Sequence, residues 1–238
     1  KNRCYSNNRN YKKIGIIVAM NKEFELVKNL LSDTHEKAMV GFTFCSGNLQ
    51  EKEIILLKSG IGKVNAAIAT TEMLQQFKPD CIINTGVAGG IDESLHVGDI
   101  VVGEETTYHD FFAGEINDHQ AELGFPEKIA AHKTLINRLK QVSIDNRISW
   151  GLICTGDQFI TNKDELMKIK KKHPQGLAVD MESNSIAQVC FYYQIPFVSF
   201  RIISDTPWVD NHSEQYLNFW QEAPQKTFAL LEKLLKKL

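Results

Sequence analysis

Four carboxylates stand where a β/α chain turns its strand ends toward a ligand: Glu23, Asp180, Glu182 and Asp205. Glu23 lies just past the apolar run Ile14 to Met20, on the opening turn of a helical pattern. Asp180 and Glu182 frame Met181 where a strand pattern becomes a helix, and Asp205 closes an apolar strand that carries Arg201 and Ser204. A lone helix-start carboxylate is commonly a cap answering the helix dipole. Several of them converging on one crevice fit general acid and base chemistry better than independent caps. Two glycine-bearing segments, Gly60-Ile61-Gly62 and Gly86 to Gly90, also follow apolar runs, where glycine permits tight turns and close approach of backbone to ligand. Neither is a GxGxxG or a GxxxxGK[ST], so the dinucleotide and P-loop readings fail.

The elements that must position these residues follow from periodicity. Ile14 to Ala19 predicts a strand; Asn21 as cap, then Phe24, Val27, Leu30 and Leu31, predict a helix. Thr43 to Cys45 and Ile54 to Leu57, separated by the turn-like Gly47-Asn48, suggest a hairpin. Val64 to Phe77 reads as a helix stopped near Pro79, Cys81 to Asn84 as a strand ending at Thr85 to Gly90, and Asp99 to Val102 as a further strand. Between Tyr108 and Pro126 the periodicity fades into a loop long enough to suggest function. Helices follow over Leu135 to Val142, Lys163 to Lys172 and Glu182 to Tyr193, strands over Gly151 to Cys154, Leu177 to Val179 and Pro196 to Ile203, and one last helix over Ser213 to Leu238. Unbroken alternation over residues 13–238 predicts a single α/β domain, a three-layer mixed sheet with helices on both faces. Ligands in such sheets bind outside the carboxyl ends of strands. That rule selects Met20 to Glu23, Val87 to Gly90, Gly156 to Ile160, Asp180 to Glu182 and Ser204-Asp205.

Composition narrows the classes. The 238 residues carry 27 basic and 29 acidic side chains, a net charge of −2, with 43% hydrophobic residues. Near-zero charge argues against a nucleic-acid binder, and no apolar run reaches the roughly 18 residues of a membrane span. The five cysteines, Cys4, Cys45, Cys81, Cys154 and Cys190, fall in no metal-ligand spacing; Cys81, Cys154 and Cys190 read as buried apolar residues, and neither a metal nor a disulfide framework is implied. Residues 1–12 form a basic segment expected to be flexible, with no acid from Lys1 to Lys13. A leader peptide ahead of Lys1 would make the protein exported.

The ordered segments Ile14 to Met20 with Glu23, Lys58 to Val64, Asn84 to Gly90, Val97 to Val102, Tyr108-His109-Asp110, Gly156 to Ile160, Ala178 to Glu182 and Arg201 to Asp205 resemble the bacterial 5′-methylthioadenosine/S-adenosylhomocysteine nucleosidases. The likeness is collinear from about residue 13 to the end. It implies the nucleoside phosphorylase-like fold, hydrolysis of an N-glycosidic bond to adenine and a thioribose, no cofactor, a homodimer, and a cytoplasmic location by default. Such cleavage builds positive charge on the ribose and negative charge on the purine, as in glycoside hydrolysis.

Carried over residue by residue, the resemblance implies that Asp205 is the acid at the purine N7, oriented by Ser204. It makes Glu23 the base that activates water, with Arg201 helping to hold that water or its base. Glu182 becomes the acceptor for the 2′- and 3′-hydroxyls, with Met181 against the sugar. Phe159 would stack on the purine, the backbone of Ile160 would read its edge, and Ala88 and Gly89 would line the floor. Met20, Ile61 and something from Tyr216 to Phe219 would take the thioalkyl group. This chain departs from the family at Val87, where many members have serine, at Asp180, where glutamate is usual, and most of all over residues 111–126, a region that in relatives helps complete a neighbouring subunit's site.

Three rival readings remain in view. A phosphorylase of the same fold needs glycine and arginine for phosphate after the first strand, where Ala19-Met20-Asn21-Lys22-Glu23 supplies a carboxylate instead. A hydrolase of another 5′-substituted adenosine, such as aminodeoxyfutalosine, would be told apart by the apolar tail pocket and the divergent loop over residues 111–126. A surface protein binding glycosaminoglycan could use Lys1 to Lys13, the cluster Lys168, Lys170, Lys171 and Lys172, and Lys233, Lys236 and Lys237, and both activities could share one molecule.

Overall fold

The computed structural model describes residues 10–114, 124–143, 145, 147–222 and 228–238. Its first strand, β1 (Lys13–Val18), is buried on both faces. Ile14, Ile16 and Val18 enter one core and Ile17 the opposite one. That two-sided burial is why the segment reads as a continuous apolar run rather than an alternating one. The packed chain begins earlier than residue 13: Tyr11 is fully buried, and the amides of Lys12 and Lys13 donate to Asp80.

After α1 (Asn21–Lys28), the strands β2 (Ser32–Met39), β3 (Phe42–Leu49) and β4 (Lys52–Lys58) form an antiparallel meander whose last strand lies parallel to β1. The expected hairpin is present with a different turn. Gly47 and Asn48 sit inside β3, opposite Ile54 and Glu53, and the chain reverses at Gln50-Glu51 with Gln50 at φ +56°. The edge strand β2 is polar and largely exposed, so it offered no apolar alternation to read. The residue at the cap of α1 is Met20 rather than Asn21, because the Glu23 carboxylate accepts the Met20 amide.

Helix α2 (Lys63–Phe77) leads to β5 (Cys81–Gly90), β6 (Ile100–Tyr108), β7 (Lys128–Ala130), α3 (Lys133–Leu139), β8 (Ile148–Thr155), α4 (Lys163–Lys172), β9 (Gly176–Asp180), α5 (Ser183–Tyr193) and β10 (Phe197–Asp205). The glycine run 86–90 does not follow a strand as expected; it continues β5, paired with β10 and then with β9. Successive pairings from β5 to β10, β6, β8, β9 and back to β5 close that part of the sheet into a ring. Ala88, Val101, Ile153, Ala178 and Ile203, one from each of its strands, fill it. Helices cover both faces of the mixed sheet: α1, α3 and the carboxy-terminal helices pack on one core, α2 and α5 on the other.

The single helix expected over Ser213 to Leu238 is two, α6 (His212–Glu222) and α7 (Ala229–Lys237). Pro224 falls between them, and proline removes an amide donor and clashes in a helix interior. The basic cluster on α4 does not present one face. Lys170 turns onto Asp92 and the carbonyls of Pro174 and Gly176, and Lys172 onto those of His109 and Phe111. Lys233 and Lys236 likewise bind Ser143 and Glu232. Among the described residues no helix is long and apolar enough to cross a membrane, and no group of His, Cys, Asp and Glu is placed to hold a metal.

Candidate active site

The carboxyl ends of β1, β5, β9 and β10 open into one cleft, where apolar walls surround a few convergent polar groups in the manner of a small-molecule site. Its walls include Met20, Glu23, Ile61, Val87, Ala88, Gly89, Phe159, Ile160, Asp180, Met181, Glu182, Arg201, Ser204 and Asp205, while Asn21, Lys22, Gly90, Gly156 and Asp157 of the selected strand-end segments lie outside it. The sequence reading passed over Ala19 and Val179, named Gln158 only as part of the segment Gly156 to Ile160, and gave only the neighbourhood of Tyr216.

Glu23 is 1% exposed. The amides of Ala19 (2.9 Å) and Met20 (3.0 Å) donate to its Oε2, and the amide of Val87 (3.0 Å) to its Oε1. Burial raises its pKa, against the opposing pull of Arg201 and those three amides. A carboxylate so held cannot swing away, yet it keeps a raised affinity for a proton. Gly86 makes this packing possible: at φ +148°, a Cβ there would come within 2.5 Å of Glu23 Oε1 and 2.8 Å of Arg201 Nη1. The Val87 side chain lines the cleft, but its contact with Glu23 is made by backbone, so the departure from serine leaves that bond intact.

Arg201 is also 1% exposed, and its hydrogen bonds run to the start of α5 and to β5. Its Nη2 meets Asp180 Oδ2 (2.7 Å), Asn84 Oδ1 (2.7 Å) and Glu182 Oε2 (3.5 Å), and its Nε meets Ser183 Oγ (3.2 Å). It therefore ties the β9–α5 junction to β10 and reaches Glu23 through its charge. Asp180 spends its carboxylate inward, accepting from Thr155 Oγ1 (2.6 Å), the Ser183 amide and hydroxyl, and Arg201. The shorter side chain at this position anchors the arginine and the start of α5.

Glu182 faces the cleft at 5% exposure, and its Oε1 accepts the Gly62 amide (3.1 Å). Burial, reinforced by the Asp180 charge and opposed by Arg201, pushes its pKa up to about 7. On the far side of the floor Asp205 lies opposite Gly89 in the β5–β10 ladder, with Ser204 Oγ donating to its Oδ1 (2.7 Å). The mouth is apolar: Phe159 meets Tyr216 edge to face at 5.6 Å, and the Tyr216 hydroxyl donates to Met20 Sδ (3.5 Å). Ile160 is buried, whereas Phe159 and Ile61 are about half exposed, at 50% and 51%.

Behind the cleft runs a polar network that the sequence reading missed. Asn84 accepts from Arg201, Ser183 and Ser199 and donates to the Ile17 carbonyl. Its signal was present, since Asn84, Thr155 and Ser199 are polar residues inside otherwise apolar strands, where burial demands partners. The loop over residues 111–126 lies largely outside the described residues, and Phe111 and Phe112 at its start do not line the cleft.

Comparison with known proteins bears on the same residues. A sequence model of the phosphorylase superfamily matches residues 13–236. The chain is 42% identical over 195 residues to the 5′-methylthioadenosine/S-adenosylhomocysteine nucleosidase of Staphylococcus aureus strain JH9, covering 81% of this chain and 86% of that one. It superposes on the Neisseria meningitidis nucleosidase of that name in complex with methylthio-immucillin-A with a TM-score of 0.87 at 32% identity, over 95% of this chain and 100% of that one. The futalosine hydrolase of Helicobacter pylori is also similar, with a TM-score of 0.85 at 26% identity over 96% and 99%. With its cleft and its sequence agreeing, the chain belongs to the 5′-methylthioadenosine/S-adenosylhomocysteine nucleosidase family.

Proposed function

We propose that the chain hydrolyses the N-glycosidic bond of 5′-methylthioadenosine and S-adenosylhomocysteine, releasing adenine and the thioribose through an oxocarbenium-like transition state. The charge of the cleft carries this reading. Its lining holds four carboxylates, Glu23, Asp180, Glu182 and Asp205, and one basic side chain, Arg201, which is committed to Asp180, Asn84 and Glu182. A phosphate dianion entering beside Glu23 would meet negative charge, whereas a neutral water would find an acceptor.

In the mechanism, the C1′–N9 bond breaks with its electron pair going to the purine. Asp205, held by Ser204, gives its proton to N7, so adenine leaves neutral. A water oxygen bonds to C1′ from the other face and Glu23 takes its proton. Glu182 accepts hydrogen bonds from the ribose hydroxyls, which strengthen as the ring becomes cationic. Phe159 stacks on the base, Ala88 and Gly89 leave it a flat floor, the Ile160 backbone reads its edge, and Met181 packs on the sugar. Met20, Ile61 and Tyr216 enclose the 5′-substituent.

Adenine release from 5′-methylthioadenosine, S-adenosylhomocysteine and aminodeoxyfutalosine, measured with and without phosphate, tests the reading. Phosphate-independent turnover favouring the two thioadenosines supports it; strict phosphate dependence makes the chain a phosphorylase. A homodimer is part of the same proposal, supported by the exposed apolar side chains of Ile61, Val64 and Ile68 at one end of α2 and of Phe112. Val64→Glu is expected to yield a monomer in sedimentation, and an unchanged mass would remove that face from the interface.

A further inference from the structure

Outside the cleft lining, three loops meet in a charged knot. Lys63 opens α2, directly after the Gly62 amide that holds Glu182. Its own amide donates to Asp157 Oδ1 (2.8 Å), and its Nζ donates to Asp110 Oδ2 (2.7 Å) and lies 3.8 Å from Asp157 Oδ2. Asp110 Oδ2 also accepts the Asp157 amide (2.9 Å). Asp110 comes from the bend after β6 and Asp157 from the turn after β8, one residue before Gln158 and two before Phe159. Bonds thus run in series from Asp110 to Asp157, from Asp157 to the first amide of α2, and from the preceding amide to the Glu182 carboxylate.

Two further contacts fix this knot in space. The Lys63 ammonium lies 5.4 Å from the centre of the Tyr108 ring, whose hydroxyl is held by Gln188 of α5 (2.7 Å). On the other side Lys172, from the end of α4, donates to the carbonyls of His109 and Phe111, gripping the turn that carries Asp110. The knot is partly buried, with the Lys63 and Asp110 side chains 25% and 23% exposed. Ion pairs that are partly shielded and share hydrogen bonds are worth more than isolated surface pairs. Gly62 packs closely against the knot: at φ +98°, a Cβ on it would sit 3.2 Å from Asp157 Oδ1.

We propose that Asp110, acting through Lys63 and Asp157, is a positioning residue that holds the Gly62 amide against Glu182 and registers the base wall at Phe159 with the ribose acceptor. The inference rests on Glu182 accepting the ribose hydroxyls. Neither Asp110 nor Lys63 lines the cleft, so neither touches substrate in this arrangement. Loosening the knot leaves the acid and the base in place and lets Glu182 and Phe159 drift apart. The loss should appear in how well the enzyme recognises the sugar.

The test compares kcat and KM for 5′-methylthioadenosine and its 2′-deoxy counterpart in the parent and in Asp110→Ala, Lys63→Met, the double variant and Glu182→Gln. Asp110→Ala is expected to raise KM for the ribonucleoside about tenfold, the scale of one charge-assisted hydrogen bond, and to change the deoxynucleoside several-fold less. Lys63→Met should do the same, and the double variant should be no worse than the more damaging single one, as for residues acting in one chain. Glu182→Gln serves as the reference, because it must itself abolish discrimination between the two sugars. If it does and Asp110→Ala and Lys63→Met leave discrimination unchanged, the positioning role is overturned while the ribose reading stands. If Glu182→Gln discriminates as the parent does, the ribose reading fails first and the positioning role with it. Should Asp110→Ala fail to fold, Lys63→Met alone decides between these outcomes.

Discussion

At the deep end of the cleft Glu23, Asp180, Glu182 and Arg201 are buried and bonded to backbone, to one another or to a second layer of Asn84, Ser183 and Thr155. At its mouth Phe159 and Ile61 stand half exposed, and Tyr216 is held by an edge contact and a sulfur. The two ends obey different physics. Buried charge is tolerated only when geometry fixes it, so the deep end is rigid, and burial raises the proton affinity of Glu23 and Glu182 there. Apolar contact is non-directional, so the mouth can accept tails of different length with small changes in energy. Chemistry therefore belongs to the deep end and selectivity to the mouth.

Breaking the deep end should cost most. Asp205→Asn and Glu23→Gln are each expected to lower kcat for adenine release by about 10³-fold, the middle of the range for a general acid or base, with the fold retained by circular dichroism. Asp205→Asn turning over at the parent rate would remove it as the acid. Arg201→Met should next cost stability, about 3 to 5 kcal/mol in denaturant unfolding, because it strands the buried Asp180 and Glu182 carboxylates. Phe159→Ala, at the mouth, should raise KM roughly tenfold or less while kcat changes little, as expected for loss of one aromatic contact of about 0.5 to 1.5 kcal/mol. A large fall in kcat there would erase the division between the two ends.

Proton affinity gives a subtler probe. Glu182 has its pKa raised from 4.5 in the unfolded chain to about 7 in the fold. Between those values the folded state holds a proton that the unfolded state has released, so stability falls as pH rises from about 4.5 to about 7 and levels off above. Catalysis needs the ionised carboxylate, so KM for the nucleoside should rise as pH drops below about 7. The KM trend should flatten in Glu182→Gln and the stability trend weaken to the share that buried Glu23 retains; an unchanged KM trend there would assign it to another group.

Much of this was legible in the sequence because the fold is built from strands buried on both faces, such as β1 and β10, whose apolar runs and terminal carboxylates stand out. Family likeness supplied the roles, but strand-end position alone had already marked Glu23, Asp180, Glu182 and Asp205. What escaped was relational. Nothing local shows that Arg201 reaches Asp180 and Asn84 rather than Glu23, since the partners come from β9 and β5. The polar edge strand β2 had no periodic signal, and Gly47-Asn48 resembled a turn although cross-strand pairing keeps it in β3. Asp110 and Asp157 stood inside segments that carry the family likeness, but the sequence offered no role for them, because their meaning lies in the contact between loops.

Running the reaction in ¹⁸O-labelled water, with phosphate present, and weighing the sugar product reads the fate of C1′ directly. Hydrolysis through a water held by Glu23 places one ¹⁸O on the thioribose and leaves phosphate unconsumed. An unlabelled sugar 1-phosphate would contradict it and make the carboxylate-lined cleft a phosphorylase site.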